Sequence, residues 1–180
     1  MNASKWVVDK SWTLFLDRDG VINVRFPGDY VKRVEDFEFL PGVKQAIAKF
    51  SSLFGRIVVV TNQQGIARGL YSHEDLKAIH DHMQSEIEKA GGKIDAVYYA
   101  PQRDSENSPM RKPGIGMALA AKKDFPEIDF SKAVMVGDSE SDMVFGKSAG
   151  MGIVFLADEE IGVDIDERVD SLLEFAAKLR

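Results

Sequence analysis

The sequence predicts an α/β domain of three layers, with helices covering both faces of a central parallel sheet. Two features predict it. Short apolar runs alternate with amphipathic segments along the chain, the pattern of repeated βαβ units. Three of the apolar runs also stop abruptly at polar or acidic clusters: Asp17-Arg18-Asp19-Gly20, Thr61-Asn62-Gln63-Gln64-Gly65 and Gly137-Asp138. In open α/β sheets ligands bind beyond the carboxyl ends of the strands, so these clusters point at one crevice.

The elements follow in order. Trp12 to Leu16 reads as a first strand, and the polar, turn-rich stretch of about 24–39 as a flap, with Pro27, Gly28 and Asp29 breaking any regular element. Pro41-Gly42 opens a helix through about Leu53, whose apolar face is Val43, Ala46, Ile47 and Phe50. Ile57 to Val60 is a β-branched run and so a buried strand. Ser72, with Asp75 three residues on, caps a helix that runs to about Ala90 and is closed by Gly91-Gly92. Ala96 to Ala100 is a third strand, followed by a long polar loop of about 101–113. Gly114 to about Lys123 is helical, Ala133 to Val136 a fourth strand, about Ser141 to Ala149 a helix, Gly152 to Leu156 a fifth strand, and Val169 to Lys178 a closing helix.

Composition narrows the function classes. A chain of 180 residues, 44% hydrophobic and 29% charged, suits one soluble domain spanning 1–180. A net charge of −6 argues against nucleic-acid binding, which relies on broad basic patches. It leaves room for a small anionic substrate, since a few local cations hold one phosphate. No cysteine is present, which excludes disulfides and thiolate metal sites. No run is apolar enough to span a membrane, and the N-terminus lacks the apolar core of a signal peptide. The expectation is a cytoplasmic protein with neither membrane nor nucleic-acid partners.

Four clusters carry chemistry. Asp17 and Asp19 lie two apart in extended chain, so their side chains point the same way; such a pair can divide nucleophile from general acid, or hold Mg²⁺, which favours oxygen ligands shared with phosphate. Thr61-Asn62 offers a hydroxyl, an amide and backbone N–H groups to phosphate oxygens. Lys112 precedes a proline that biases it to extended geometry, and could neutralise phosphate and aspartate together. Asp138 and Asp142 follow a glycine at a helix start, where acidic residues also complement the helix dipole. His73, His80 and His82 share one predicted helix without a common metal-binding face and read as surface or packing residues. Asp158-Glu159-Glu160 reads as a solvated charge run.

Their order and strand-end placement resemble the four motifs of the haloacid dehalogenase superfamily: Asp17-Arg18-Asp19-Gly20, Thr61-Asn62, Lys112-Pro113, and Gly137-Asp138 with Asp142. The resemblance covers about residues 12 to 156 and implies a Rossmann-like core. It implies that Asp17 attacks phosphorus and that Asp19 protonates the leaving oxygen, then activates water. It further implies that Thr61 and Lys112 stabilise the phosphoryl group, and that Mg²⁺ is held by the carboxylates of Asp17 and Asp138 and the backbone carbonyl of Asp19. This fits phosphoryl transfer, where positioning and charge neutralisation dominate.

Phe15 to Asn23, Val59 to Gly69, Tyr98-Tyr99 and Arg111-Lys112-Pro113 are similar to the D-glycero-D-manno-heptose-1,7-bisphosphate 7-phosphatases, and the Asp-Arg-Asp-Gly opening also to histidinol-phosphate phosphatases. The Gly65-Ile66-Ala67-Arg68-Gly69 run favours the heptose enzymes. Neither group has a large cap domain. The resemblance implies a monomer acting on a small phosphorylated sugar, with Asn23, Arg25, Tyr30, Asn62, Gln63 and Arg111 on the substrate side and Arg111 taking a distal phosphate. Three departures stand out. The loop from Ala100 to Met110 has no cysteine or histidine, so the zinc site that the heptose enzymes usually carry there cannot form and no zinc is expected. Ser139 stands where those enzymes often have lysine, and Val21 where many superfamily members have threonine.

Overall fold

The computed structural model describes residues 4–179. Six parallel strands form one sheet in the order β3-β2-β1-β4-β5-β6: β1 (Thr13–Leu16), β2 (Arg56–Asn62), β3 (Ala96–Ala100), β4 (Ala133–Gly137), β5 (Gly152–Phe155) and β6 (Glu167–Arg168). Among the described residues four α-helices connect successive strands, α1 (Val43–Leu53), α2 (His73–Lys89), α3 (Gly116–Asp124) and α4 (Glu140–Ala149), and a fifth, α5 (Leu172–Lys178), follows β6. The predicted fold class and the first five strands are present. The short strand β6 was not expected; its Glu167-Arg168 pair offers no apolar run to read, and it pairs through backbone with Val154 and Phe155.

Side-chain alternation along the strands divides the core in two. Leu14, Leu16, Ile57, Val59, Val134 and Val136 pack with Ile47 and Phe50 of α1, Ile79 and Met83 of α2, and Leu172 and Phe175 of α5. Phe15, Val58, Val60, Met135 and Ile153 face the other way, against Met117 and Ala121 of α3 and Met143 and Phe145 of α4. Strands buried on both faces explain why the sequence runs are continuously apolar rather than alternating. The N-terminal segment closes one end: Trp6 meets Phe175 edge-on at 6.3 Å.

Helix boundaries follow local chemistry. Ser72 and Asp75 form the expected reciprocal cap on α2. Ser139 and Asp142 form a second one, which starts α4 at Glu140. The closing helix begins at Leu172 rather than Val169, because Ser171 accepts from Glu174 N and so fixes the N-terminus there. The third helix starts at Gly116, since residues 111–114 are spent on a turn in which Gly114 N bonds to Arg111 O at 2.8 Å.

Candidate active site

The sheet order puts β2, β1 and β4 side by side at its centre. Their carboxyl ends deliver Thr61 and Asn62, Asp17 and Asp19, and Asp138 to one place. The strand ladder extends one step past β1, where Asp17 N bonds to Val136 O at 3.0 Å, so the Asp17 backbone is anchored at the carboxyl end of a central strand. A cavity of about 380 Å³ opens here, lined among others by Asp17, Asp19, Thr61, Lys112 and Asp138.

Lys112 organises the floor. It is 3% exposed; its Nζ lies 2.8 Å from Asp17 Oδ1 and 2.6 Å from Asp142 Oδ1 and donates to Val60 O at 2.8 Å. Asn62 holds the lysine's backbone on both sides: Asn62 Nδ2 donates to Lys112 O at 3.0 Å, and Lys112 N donates to Asn62 Oδ1 at 2.9 Å. The amide of Asn62 therefore aims the loop lysine, although Asn62 also lines the cavity. Burial pulls the Lys112 ammonium down, but Asp142 and Asp17 more than offset it and hold the lysine charged.

The acidic groups are crowded. Burial, then the charge of Asp142, pushes the Asp17 carboxyl up to about 8. Burial and the same neighbour raise Asp138 to about 6, against the pull of Arg25, whose Nη1 donates to Asp138 Oδ2 at 3.2 Å. Carboxylates at such proximity favour protonation unless a cation joins them. Oxygens of Asp17, Asp138 and Asp142 lie within 4.8 Å of one another, a hard-oxygen donor set that fits Mg²⁺. Asp142 already carries duties of its own: beyond Lys112, its Oδ2 accepts from Asp138 N, Ser139 N and Ser139 Oγ. It acts as a buried cap that sets Asp138, which leaves Asp17 and Asp138 as the carboxylates free to ligate. Gly20 makes this approach possible, since a Cβ there would stand 1.9 Å from Asp138 Oδ2 and its φ is +88°.

Asp19 is turned to a different set of partners. Arg18 Nη2 donates to both its oxygens, at 2.8 and 3.0 Å; Asn23 Nδ2 donates to Oδ1 and Gln63 Nε2 to Oδ2, each at 2.9 Å. Burial raises the Asp19 carboxyl, but the Arg18 charge and these hydrogen bonds together carry it below the usual carboxylate range. Thr61 Oγ1 accepts from Gln63 Nε2 at 2.9 Å, which leaves its own proton free for a phosphate oxygen in the cavity.

The structure sorts the expected substrate residues. Arg25, Tyr30, Asn62 and Arg111 line the cavity. Asn23 and Gln63 do not meet the expectation of substrate contact: both are fully buried and spend their amides on Asp19 and its surroundings. They act behind the pocket wall. Gln64 and Arg68 line the cavity as well; the sequence offered Arg68 only as a weaker candidate for a distal phosphate, more readily read as a surface charge, and did not single out Gln64. Nor had Arg18 been assigned a role, although its position between two strand-end aspartates carries a signal. Alternation turns residue 18 inward where 17 and 19 turn out, and a buried arginine needs a partner. Asp19 is its charged partner, and His80 is a second, 3.1 Å away and 6% exposed; His80 is a packing residue, as expected, with a polar contact the helix pattern did not reveal.

Comparison with known proteins agrees with this geometry. Residues 14–160 match the family model described as polynucleotide kinase 3 phosphatase. A D-glycero-alpha-D-manno-heptose-1,7-bisphosphate 7-phosphatase of Mycobacterium bovis is 39% identical over 170 residues, covering 92% of this chain and 90% of the relative. A D-glycero-beta-D-manno-heptose-1,7-bisphosphate 7-phosphatase of Vibrio cholerae is 39% identical over 166 residues, covering 88% and 87%. The crystal structure of the D,D-heptose 1,7-bisphosphate phosphatase of B. bronchiseptica, complexed with magnesium and phosphate, superposes with a TM-score of 0.84 at 30% identity, covering 93% of this chain and 97% of that one. Fold and site together define a phosphatase of the haloacid dehalogenase type. Within that class the chain belongs to the D-glycero-D-manno-heptose-1,7-bisphosphate 7-phosphatase family.

Proposed function

We propose that the chain removes the 7-phosphate of D-glycero-D-manno-heptose 1,7-bisphosphate through an aspartyl-phosphate on Asp17. The observation that carries the reading is the buried Lys112 held between Asp17 and Asp142 at the mouth of β1. That ammonium keeps Asp17 aimed and offsets charge where a phosphoryl group would sit. Mg²⁺ held by Asp17, Asp138 and the Asp19 backbone carbonyl would neutralise phosphate charge; the magnesium reported for the B. bronchiseptica structure supports its choice.

In the first half-reaction a carboxylate oxygen of Asp17 bonds to phosphorus as the bond from phosphorus to the sugar oxygen breaks, and Asp19 supplies the proton that oxygen needs. In the second, Asp19 takes a proton from water, the water oxygen bonds to phosphorus, and the Asp17 carboxylate leaves with its electron pair. Asp19, held as an anion by Arg18, Asn23 and Gln63, is set for the second step; for the first it takes up a proton from solvent or from the monoanionic phosphate of the entering substrate, and passes that proton to the leaving oxygen. Thr61 and Lys112 hold the equatorial phosphate oxygens.

Arg111 is the residue for the distal phosphate. Its Nη1 is buried without a partner, it lines the cavity, and a guanidinium binds phosphate through paired N–H groups. Arg25 and Tyr30 on the flap complete the substrate side. The cysteine-free composition supports a cytoplasmic setting, and we read the active unit as a monomer. The net charge of −6 weighs against a polynucleotide end as substrate.

The test is phosphate release from both anomers of the heptose bisphosphate, other sugar phosphates and histidinol phosphate, with Mg²⁺ and with EDTA, for wild type and Asp17→Asn. Metal-dependent release strongest on a heptose bisphosphate, and lost in the variant, is expected. Weak release spread across the panel would refute the heptose assignment and favour a broad sugar-phosphate phosphatase. No release from any substrate would favour a phospho-ligand-binding protein.

A further inference from the structure

We infer that His80, on α2 and outside the cavity, is a positioning residue for the general acid, acting through Arg18. The inference rests on the reading of Asp19 as the acid and base of the proposed reaction.

Arg18 is fully buried. Its Nη2 spans both oxygens of Asp19, while its Nη1 lies 3.1 Å from His80 Nε2. A guanidinium can only donate, so Nε2 is the acceptor and the imidazole is neutral, with its proton on Nδ1. The guanidinium is planar and its two ends turn together. Fixing Nη1 at His80 therefore fixes the plane in which Nη2 meets Asp19. The Phe37 ring, 6.0 Å from the guanidinium carbon, adds a cation–π contact but no lone-pair acceptor for Nη1.

The chemistry of residue 80 matters. A carboxylate there would compete with Asp19 for the same cation and draw it away. An apolar side chain would leave Nη1 buried without a partner and free the guanidinium to tilt. A neutral acceptor aligns Arg18 without competing for its charge. His80 is itself seated beside the Tyr99 ring, 6.3 Å between centroids, so the acceptor is held from behind.

Leaving-group dependence separates positioning from a merely structural role. Expulsion of an alkoxide from a sugar phosphate needs a proton from Asp19; expulsion of p-nitrophenolate does not. Hydrolysis of the aspartyl-phosphate needs Asp19 as base in either case. Since a general acid contributes about 10²–10⁴-fold, tilting it in His80→Leu should lower kcat on an alkyl phosphate roughly tenfold with KM little changed. With p-nitrophenyl phosphate the same variant should release its first equivalent of nitrophenolate at the wild-type rate and then slow, giving a burst. His80→Gln, whose amide oxygen reaches the place of Nε2, should recover most of the alkyl activity. Asp19→Asn serves as the reference, with the same signature in stronger form.

A His80→Leu variant matching wild type on both substrates, or slowed equally on both in the first turnover, would overturn the inference while Asp19→Asn still showed the signature. An Asp19→Asn variant without the signature would instead remove the assignment of Asp19 on which the inference rests. Should His80→Leu fail to fold, His80→Asn, whose amide is too short to reach Arg18, takes its place in the same comparison.

Discussion

His80 also makes a quantitative statement about acid stability. Burial, and then the neighbouring charge of Arg18, pushes its imidazole from 6.5 down to about 3. In the unfolded chain it titrates normally. Between those two values the unfolded state therefore binds a proton that the folded state does not, so stability is lost as pH falls through the unfolded value. Each pH unit in that window costs about 1.4 kcal/mol, or about 2 kcal/mol at roughly pH 5 relative to pH 7.5. Other groups titrate over the same range, and Asp17, raised by burial, contributes with the opposite sign. The quantity to measure is therefore the difference between wild type and His80→Gln, by urea unfolding followed by circular dichroism at both pH values. The variant should gain about 2 kcal/mol relative to wild type on acidification. A difference that stays flat across the two pH values would show that the imidazole is not held neutral, and would refute the acceptor role deduced from Arg18.

Other perturbations follow from the same geometry. Lys112→Met leaves Asp17 and Asp142 buried without their cation; it should cost about 3–5 kcal/mol of stability in metal-free protein, partly recovered by Mg²⁺ in a thermal melt, with turnover lost. Gly20→Ala drives a Cβ into Asp138 at a left-handed backbone position, and should abolish phosphate release and weaken Mg²⁺ binding measured by calorimetry. Asn62→Ala removes both bonds to the Lys112 backbone and should lower stability by about 1–3 kcal/mol, with a fall in kcat larger than any change in KM. A zinc-selective chelator should leave the melting temperature unchanged. The loop of 101–113 is tied instead by Arg103 to Ala67 O and by the Asn62 pair, and a downward shift on chelation would contradict that account.

The sequence revealed the site better than its surroundings. Asp17, Thr61 and Asp138 were readable because each sits where an apolar run breaks, and runs of buried strand are easy to see; Lys112, in a polar loop, was readable only from its place before Pro113. The sheet order, which is what brings three of those breaks together, is a long-range property that no local run encodes. Asn23 and Gln63 were expected to touch substrate because polar residues beside a nucleophile suggest contact. Nothing in a single sequence distinguishes an amide facing the ligand from one facing the carboxylate behind it. Arg18 and His80 lie 62 residues apart, and their meeting depends on how α2 packs on the sheet. Strand β6 lacked any apolar signature and exists only through its backbone pairing with β5.

The base of the flap is where Asn23 gains a second meaning. Its backbone bridges both Asp19 and Phe39, Val24 N bonds to Glu38 O at 2.8 Å and Leu40 N to Ile22 O at 3.0 Å, and its amide joins Asp19 to Val24 O. The two stems of the flap are thus sewn together by the residue that also holds the acid. Between those stems, the exposed part of the tip can vary in length and composition, whereas Val31 and Phe37 are buried in the core and must stay apolar. An exchange of flaps between relatives would accordingly succeed when cut inside the seam, between about 25 and 37, with the apolar character of positions 31 and 37 kept. Cut outside it, the graft would carry off part of the proton-transfer machinery, and a change meant to alter substrate choice would read out as a loss of rate on every substrate.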